Sequence, residues 1–202
     1  MIASLIAFTF AAALLSVTPG ADTLLVVRYA AGRGRSAGVA AAAGILLGVL
    51  VWGAIVAVGV AALIVASPTL FRTLQWAGAA YLIWLGVQLL LPRANRDPST
   101  PGAKSGNPFL SGLLTNLLNP KVGVFYLAFL PPFIPPGVAH GPFIFLLAAI
   151  HAFLGLLWFL LLIGSVGRAA SRFSGSRLSV LFAKLTGVLF VGFGARLLVS
   201  SR

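Results

Sequence analysis

The sequence predicts an all-α integral membrane protein with six transmembrane helices, arranged as a 3+3 inverted repeat whose first and fourth helices are broken. Hydrophobic residues make up 60% of the 202 residues, charged residues only 8%, and the mean hydropathy is +1.08. In a soluble domain about a quarter of the residues are charged. Six apolar runs reach the length of about 20 residues that crosses the hydrocarbon core of a bilayer. Proline interrupts the first run and the fourth.

The predicted spans cover approximately residues 2–27, 37–66, 69–91, 109–134, 142–167 and 178–200. We interpret the first as a retained helix rather than a cleaved signal peptide, because no basic residue precedes it. The segment 92–108 is rich in proline, serine and glycine, and it is predicted to be a cytoplasmic linker. It would divide one transmembrane domain, 1–202, into a first three-helix repeat, 1–91, and a second, 109–202.

The formal net charge is +12, and the placement of the cations predicts the topology. Basic residues follow the first, third and fifth spans: Arg33, Arg35, Arg93, Arg96, Lys104, Arg168, Arg172 and Arg177. By the positive-inside rule these connections are cytoplasmic, so both termini are predicted outside the cytoplasm. The cations do not cluster on a soluble face with interleaved aromatics, which argues against nucleic acid as a partner. The chain has no cysteine, and neither a metal site nor a cofactor is predicted.

The two breaks share a pattern, in which a residue that favours helix N-caps precedes a proline. The first reads Thr18-Pro19-Gly20-Ala21 and the second Asn116-Leu117-Leu118-Asn119-Pro120-Lys121. Because three spans separate them, the second half enters the membrane from the opposite side. Paired broken helices in inverted halves are typical of a transporter's binding site.

New half-helices are predicted to begin near Thr18 and Asn119. Their partially positive N-terminal ends must face protein or a water-lined cavity, since lipid cannot satisfy free backbone groups. Such ends attract carboxylates. We therefore expect a small-molecule substrate that carries a carboxylate, such as an amino acid, and eight substrate-binding residues: Thr18, Pro19, Gly20, Ala21, Asn116, Asn119, Pro120 and Lys121.

Asp22 is one of only two acidic residues and lies beside the first break in a membrane-length apolar stretch. An acid at that depth is a functional-site hypothesis by default. One interpretation is structural: Asp22 favours the helix dipole or pairs with Lys121. The other makes Asp22 the proton-coupling residue, because burial and a neighbouring cation act in opposite senses on its protonation. For Lys121, a structural counter-ion and a ligand for the substrate carboxylate remain equally open.

Several motifs resemble the lysine exporter (LysE/RhtB) family of bacterial amino-acid exporters. They are Pro19-Gly20-Ala21-Asp22-Thr23-Leu24-Leu25-Val26, then Ala77-Gly78-Ala79-Ala80-Tyr81-Leu82-Ile83-Trp84-Leu85-Gly86, and Phe109-Leu110-Ser111-Gly112 leading to Asn116-Leu117-Leu118-Asn119-Pro120-Lys121. Members usually carry a second proline where this chain has Ala21. The resemblance implies a multi-pass translocator of the bacterial inner (plasma) membrane, which exports amino acids or related small metabolites by alternating access, coupled to protons.

An enzyme and a channel-like or accessory protein are the other classes that a membrane protein of this kind could represent. An enzyme is not expected, because two acids, two histidines and no cysteine leave little from which to build an active site. A channel-like or accessory membrane protein without concentrative transport remains the alternative. Gly44-xxx-Gly48 favours internal helix packing, although a homodimer interface is possible. For His151, a hydrogen-bonded packing role is favoured over a proton relay.

Overall fold

The computed structural model describes residues 1–91, 106–165 and 177–200. Eight α-helices lie in these ranges: α1 (Ile2–Val17), α2 (Ala21–Arg33), α3 (Arg35–Ala66), α4 (Pro68–Leu90), α5 (Pro108–Leu117), α6 (Pro120–Val124), α7 (His140–Gly164) and α8 (Arg177–Ser200). A π-helical turn, Phe125–Phe129, continues α6, and a 3₁₀ turn, Pro131–Phe133, follows it. The described ranges contain no β-strand. The all-α prediction is confirmed.

Two helices are long and apolar enough to cross a membrane alone, α7 and the Arg35–Gly59 part of α3. Two further spans are bent pairs of helices, each with a bend of 49°: α1 with α2, and α5 with the segment Pro120–Phe133. Within the described residues the chain thus has two to four spans by length and composition. Both predicted breaks are confirmed. The total of six spans and the inverted relation between the halves stay predictions.

The first break differs in detail from the prediction. The helix after it begins at Ala21, with Gly20 as its N-cap, and not near Thr18. Thr18 instead closes the end of α1, because its Oγ1 donates a 2.6 Å hydrogen bond back to the carbonyl oxygen of Leu14. The same hydroxyl also bonds the hydroxyl of Thr186 on α8. A hydroxyl engaged in this way does not cap the next helix.

The second break follows the prediction. Asn119 is the N-cap of α6, and its Oδ1 accepts a 3.1 Å hydrogen bond from the backbone N–H of Lys121. Pro120 takes the first helical position, where its missing N–H costs nothing. The break therefore results from local sequence chemistry.

The predicted linker lies mostly outside the described residues, as do Arg93, Arg96, Lys104, Arg168 and Arg172. Its last residue, Pro108, belongs to α5 rather than to the linker. Asn107 caps this helix, because its Oδ1 accepts hydrogen bonds from the backbone N–H groups of Phe109 and Leu110.

Helix α3 is the centre of the packing, since it lies against α2, α5 and α7. The approach of α3 to α5 requires glycine on both sides. A Cβ at Gly44 would collide with the backbone of Phe109 and Leu113, and one at Gly112 would collide with the backbone of Ala41. The internal packing role predicted for Gly44 is confirmed. This contact fixes α5, and with it the second break, against α3.

Two buried apolar clusters fill the interior. The first includes Phe8, Val49, Val122 and the aromatic residues of the π-helical turn. The second includes residues of α2 together with Ile45 and Phe159. Where the clusters adjoin, the structure holds the cavity described next.

Candidate functional site

Both breaks face one cavity. Its volume is about 50 Å³, which is room for a few water molecules. Its polar lining comes from both breaks and from α7: Ser16, Thr18, Asp22, Thr23, Asn116, Asn119, Lys121 and His151. Its apolar lining includes Leu15, Ile45, Leu46, Val49, Val122 and Phe159. We call the polar and charged lining residues the polar wall and the aliphatic and aromatic ones the apolar wall.

Asp22, in the first turn of α2, is held by two amides of the second break. Nδ2 of Asn116 donates a 2.8 Å hydrogen bond to Oδ2 of Asp22, and Nδ2 of Asn119 donates a 3.3 Å bond to Oδ1. Asn116 is fully buried, and Asn119 is half-buried. Hydrogen bonds to a carboxylate are among the stronger ones in proteins. The acid of the first break therefore reaches across to the second.

The orientation of the Asn116 side chain has a clear cause. Its Oδ1 is buried without a hydrogen-bond partner among the described residues, which costs about 1–3 kcal/mol. The opposite orientation would place Oδ1 against the carboxylate of Asp22, where two oxygens repel. Gly48 on α3 provides the room, since a Cβ there would lie 2.6 Å from Oδ1. The packing role predicted for Gly48 is confirmed and serves the site.

Lys121 reaches in the opposite direction, from the second break to the first. Its Nζ lies 3.4 Å from the carbonyl oxygens of Leu15 and Thr18, at the C-terminal end of α1. Carbonyls at a helix C-terminus lack intrahelical partners and carry partial negative charge, so they attract a cation. The first break therefore supplies a carboxylate to the amides of the second, and the second supplies an ammonium to the carbonyls of the first.

The predicted partnership of Asp22 with Lys121 takes an indirect form. Among the described residues, Asn116 and Asn119 donate hydrogen bonds to the Asp22 carboxylate, while Lys121 acts on it electrostatically. The ammonium also lies beside Gly20, 3.8 Å from where its Cβ would be. The structural and functional interpretations of Asp22 and of Lys121 both remain predictions.

The two half-helix ends differ in what they offer a ligand. In α6 the first backbone N–H groups already have acceptors: that of Lys121 bonds Oδ1 of Asn119, and those of Val122 and Gly123 bond its carbonyl oxygen. At this break a ligand would therefore meet side chains rather than unpaired backbone N–H groups. In α2 the N-cap is Gly20, which has no side chain to satisfy the first-turn N–H groups.

Six of the nine predicted site residues line the cavity: Thr18, Gly20, Asp22, Asn116, Asn119 and Lys121. Pro19, Ala21 and Pro120 are not among the lining residues and serve to form the breaks. The hydroxyl of Thr18 is engaged with Leu14 and Thr186, and its predicted role in substrate binding stays a prediction.

Other lining residues were not predicted. Ser16 and Thr23 flank the first break, and the polar character of these near neighbours is the signal that identifies them. For His151 the sequence favoured a hydrogen-bonded packing role, and the ring has a hydrogen-bonding partner in Tyr126, with 3.1 Å between Nδ1 and the hydroxyl oxygen. It lines the cavity as well. The sequence gives no signal that identifies the lining residues of α3, because that helix is apolar on all sides.

Broken helices whose polar breaks face a common cavity are typical of secondary transporters. The chain matches the LysE type translocator family over residues 13–201. It therefore belongs to the LysE type translocator family, which confirms the resemblance and makes it a membrane transport protein.

Three curated relatives illustrate the similarity. The chain is 34% identical over 187 residues to the leucine efflux protein of Salmonella choleraesuis (strain SC-B67), covering 90% of this chain and 88% of that protein. It is 31% identical over 192 residues to the threonine efflux protein of Escherichia coli (strain K12), covering 91% and 92%. It is 33% identical over 204 residues to the membrane protein YrhP of Bacillus subtilis (strain 168), covering 96% and 97%. No solved structure gives a significant match.

Proposed function

We propose that the protein is a secondary exporter of amino acids or related small metabolites, located in the bacterial inner membrane and coupled to proton influx by alternating access. The observation that carries the proposal is the reciprocal contact of the two breaks at one cavity: Asp22 accepts from amides of the second break, and Lys121 donates to carbonyls of the first. Relatives named as leucine and threonine efflux proteins support amino acids as the substrate class.

An amino acid carries two opposite charges, and the polar wall offers a partner for each. In the proposal the substrate carboxylate binds at the N-terminal end of α2, beside the ammonium of Lys121. The substrate ammonium lies at Asp22. Both groups of the protein exchange their present partners for those of the substrate, so little charge is left unpaired during binding.

The apolar wall favours a neutral amino acid with an aliphatic side chain. Ile45, Leu46 and Val49 from α3 and Phe159 from α7 line that wall. A charged side chain placed there would lose its hydration without gaining a partner. Leucine is therefore the first substrate to test, and threonine the second.

In the proposal, transport proceeds by alternating access around the cavity that both breaks line. The substrate enters when the breaks move apart. The hydrogen bonds from Asn116 and Asn119 to Asp22 are the contacts that would open. Because the predicted halves are inverted, an equivalent movement on the other side would release the substrate.

Asp22 is the proposed proton-coupling residue. Its surroundings contain the cation Lys121, and His151 lines the same cavity. A proton and a substrate ammonium both neutralise the carboxylate, and they compete for it. Release of substrate to the outside would leave Asp22 available to a proton, which is then carried inward.

The test is transport into everted membrane vesicles, where export becomes uptake. For the wild type we expect concentrative uptake of radiolabelled leucine or threonine that collapses when a protonophore dissipates the gradient. Asp22→Asn should abolish this uptake while the protein remains inserted and folded. Asp97→Asn, which removes the only other acid in the chain, is the matched control and should transport normally. Full gradient-driven uptake by Asp22→Asn would rule out the proton role, and downhill flux that ignores the protonophore in the wild type would favour a channel.

A further inference from the structure

We propose that His151 is a substrate-binding residue, whose Nε2–H donates a hydrogen bond to the carboxylate of the amino acid in the cavity. This inference rests on the proposed function and extends its site to α7, outside both breaks. Tyr126 acts through His151 and is a positioning residue.

His151 lies on the face of α7 that borders the cavity. Gly155 and Phe159 follow it at intervals of four residues, and all three line the cavity. Residues at this spacing lie on one face of a helix. His151 is only 5% exposed, so contact with bulk water does not explain why a polar side chain occupies this position. It is the polar group that α7 contributes to the cavity.

Tyr126 determines which nitrogen of the ring is left for a ligand. Its hydroxyl is buried and lies 3.1 Å from Nδ1 of His151. A buried O–H must donate, since an unsatisfied donor costs more free energy than the bond itself gains. With Nδ1 as the acceptor, the neutral imidazole carries its hydrogen on Nε2. His151 therefore offers a donor, which is what a carboxylate requires.

The ring is also held in place by its neighbours. Tyr126 stacks on it with 5.8 Å between ring centroids, and Phe125 packs against it at 5.5 Å. Both belong to the π-helical turn Phe125–Phe129. Such turns occur frequently at functional sites, because the extra residue shifts side chains relative to a regular helix. A ring fixed on two sides loses little conformational entropy when it binds a ligand.

The position of Lys121 also favours a carboxylate as the ligand of His151. Its ammonium lies within electrostatic range of His151 as well as of Asp22. A carboxylate has two oxygens, each able to accept hydrogen bonds. One placed between Lys121 and His151 would accept from both, while Asp22 holds the ammonium end of the same substrate.

The test compares two ligands that differ only by the carboxylate, L-leucine and isopentylamine. Their binding to the purified protein in detergent is measured by ligand-dependent thermal stabilisation, which needs neither a membrane nor a gradient. Three variants are compared with the wild type. His151→Leu removes the donor, His151→Gln supplies an amide donor near the position of Nε2, and Tyr126→Phe removes the hydroxyl that selects the tautomer.

We expect His151→Leu to weaken leucine binding by about 10- to 100-fold, as for the loss of one hydrogen bond to a charged group. Isopentylamine binding should not change, so the preference for leucine falls by the same factor. His151→Gln should restore most of the leucine affinity, and Tyr126→Phe should weaken it by less than His151→Leu does.

Three results would overturn the inference. Equal weakening of both ligands in His151→Leu would show a structural role, and leucine binding that His151→Leu leaves unchanged would show no role in binding. Failure of His151→Gln to recover leucine affinity would also contradict a donor role. A wild type stabilised by neither leucine nor threonine is a different outcome, because it removes the proposed function together with this inference.

Discussion

Nδ2 of Asn116, near the end of α5, donates a 2.8 Å hydrogen bond to Oδ2 of Asp22, in the first turn of α2. The two residues are 94 positions apart in the chain. Lys121 makes the reciprocal connection from α6 to the carbonyls at the end of α1. A broken helix inside a membrane must find partners for its free polar groups in other parts of the protein. Here each break finds them in the other, so the two breaks form a single unit.

The bond between Asn116 and Asp22 is expected to couple the two residues in stability. Asn116→Leu keeps the approximate volume and removes the donor, and it should destabilise the protein by about 1.5–3 kcal/mol. Unfolding in detergent measures this for both single variants and for the double variant with Asp22→Leu. We expect the double variant to lose clearly less stability than the sum of the singles. Additive losses would show that the hydrogen bond contributes nothing.

Gly48 is expected to be indispensable for the orientation of Asn116. In Gly48→Ala the new Cβ would lie 2.6 Å from Oδ1 and 2.9 Å from Cβ of Asn116, and the amide would move away from Asp22. Transport should fall by about tenfold or more, as expected when a hydrogen bond to a charged group is lost. The matched control is Gly59→Ala on the same helix, whose Cβ meets nothing within 4 Å. Alanine at that position should be neutral or slightly stabilising, and equal transport by both variants would contradict the prediction.

Lys121 is expected to matter for the end of α1 even without substrate. Lys121→Met keeps a long apolar side chain but removes the cation that lies by the carbonyls of Leu15 and Thr18. We predict a stability loss of about 1–2 kcal/mol, together with loss of transport. Lys184→Met, on the exposed side of α8, removes the same charge without this contact. Thermal unfolding measures the stability of the two variants, and an equal loss in both would refute a specific role for Lys121 at the end of α1.

The hydroxyls of Thr18 and Thr186 are expected to stabilise the contact of α1 with α8. Thr186 donates its hydroxyl hydrogen to Oγ1 of Thr18, whose own hydrogen goes to the carbonyl oxygen of Leu14. Thr→Val replaces the hydroxyl by a methyl of similar size, so each variant should lose about 0.5–2 kcal/mol. Thr73→Val on α4, whose exposed hydroxyl donates to the carbonyl oxygen of Thr69 in its own helix, is the control. Indistinguishable unfolding of Thr18→Val and Thr73→Val would count against this contact.

The breaks could be predicted because their causes are local. Pro120 has no N–H and Asn119 caps the following helix, so a few consecutive residues suffice to place the second break. The start of α2 was missed by three residues. Its cause is not local, because the hydroxyl of Thr18 bonds Thr186, which is 168 positions away. Propensity at Thr18 gives no sign of that partner.

The polar side chains of the site were predictable for a different reason. Asp22 and Lys121 are conspicuous because charge is costly within a membrane-length apolar run. Three features were not predictable: the Asn116 oxygen that has no partner among the described residues, the room provided by Gly48, and the cavity-facing position of His151. Each depends on which face of one helix lies against another, and an apolar helix such as α3 carries no amphipathic pattern that reveals its faces.

By itself, the sequence determined that the chain is a membrane protein of helices, where two of those helices break, and which charged residues lie beside the breaks. These properties follow from the length of apolar runs, the chemistry of proline and the cost of buried charge, which act over a few residues. Only the tertiary structure decided that Asp22 is held by Asn116 and Asn119, that Lys121 reaches the end of α1, and that α7 adds a histidine. Contacts between distant segments depend on the close approach of helices at glycines, and that approach is a property of packing in three dimensions.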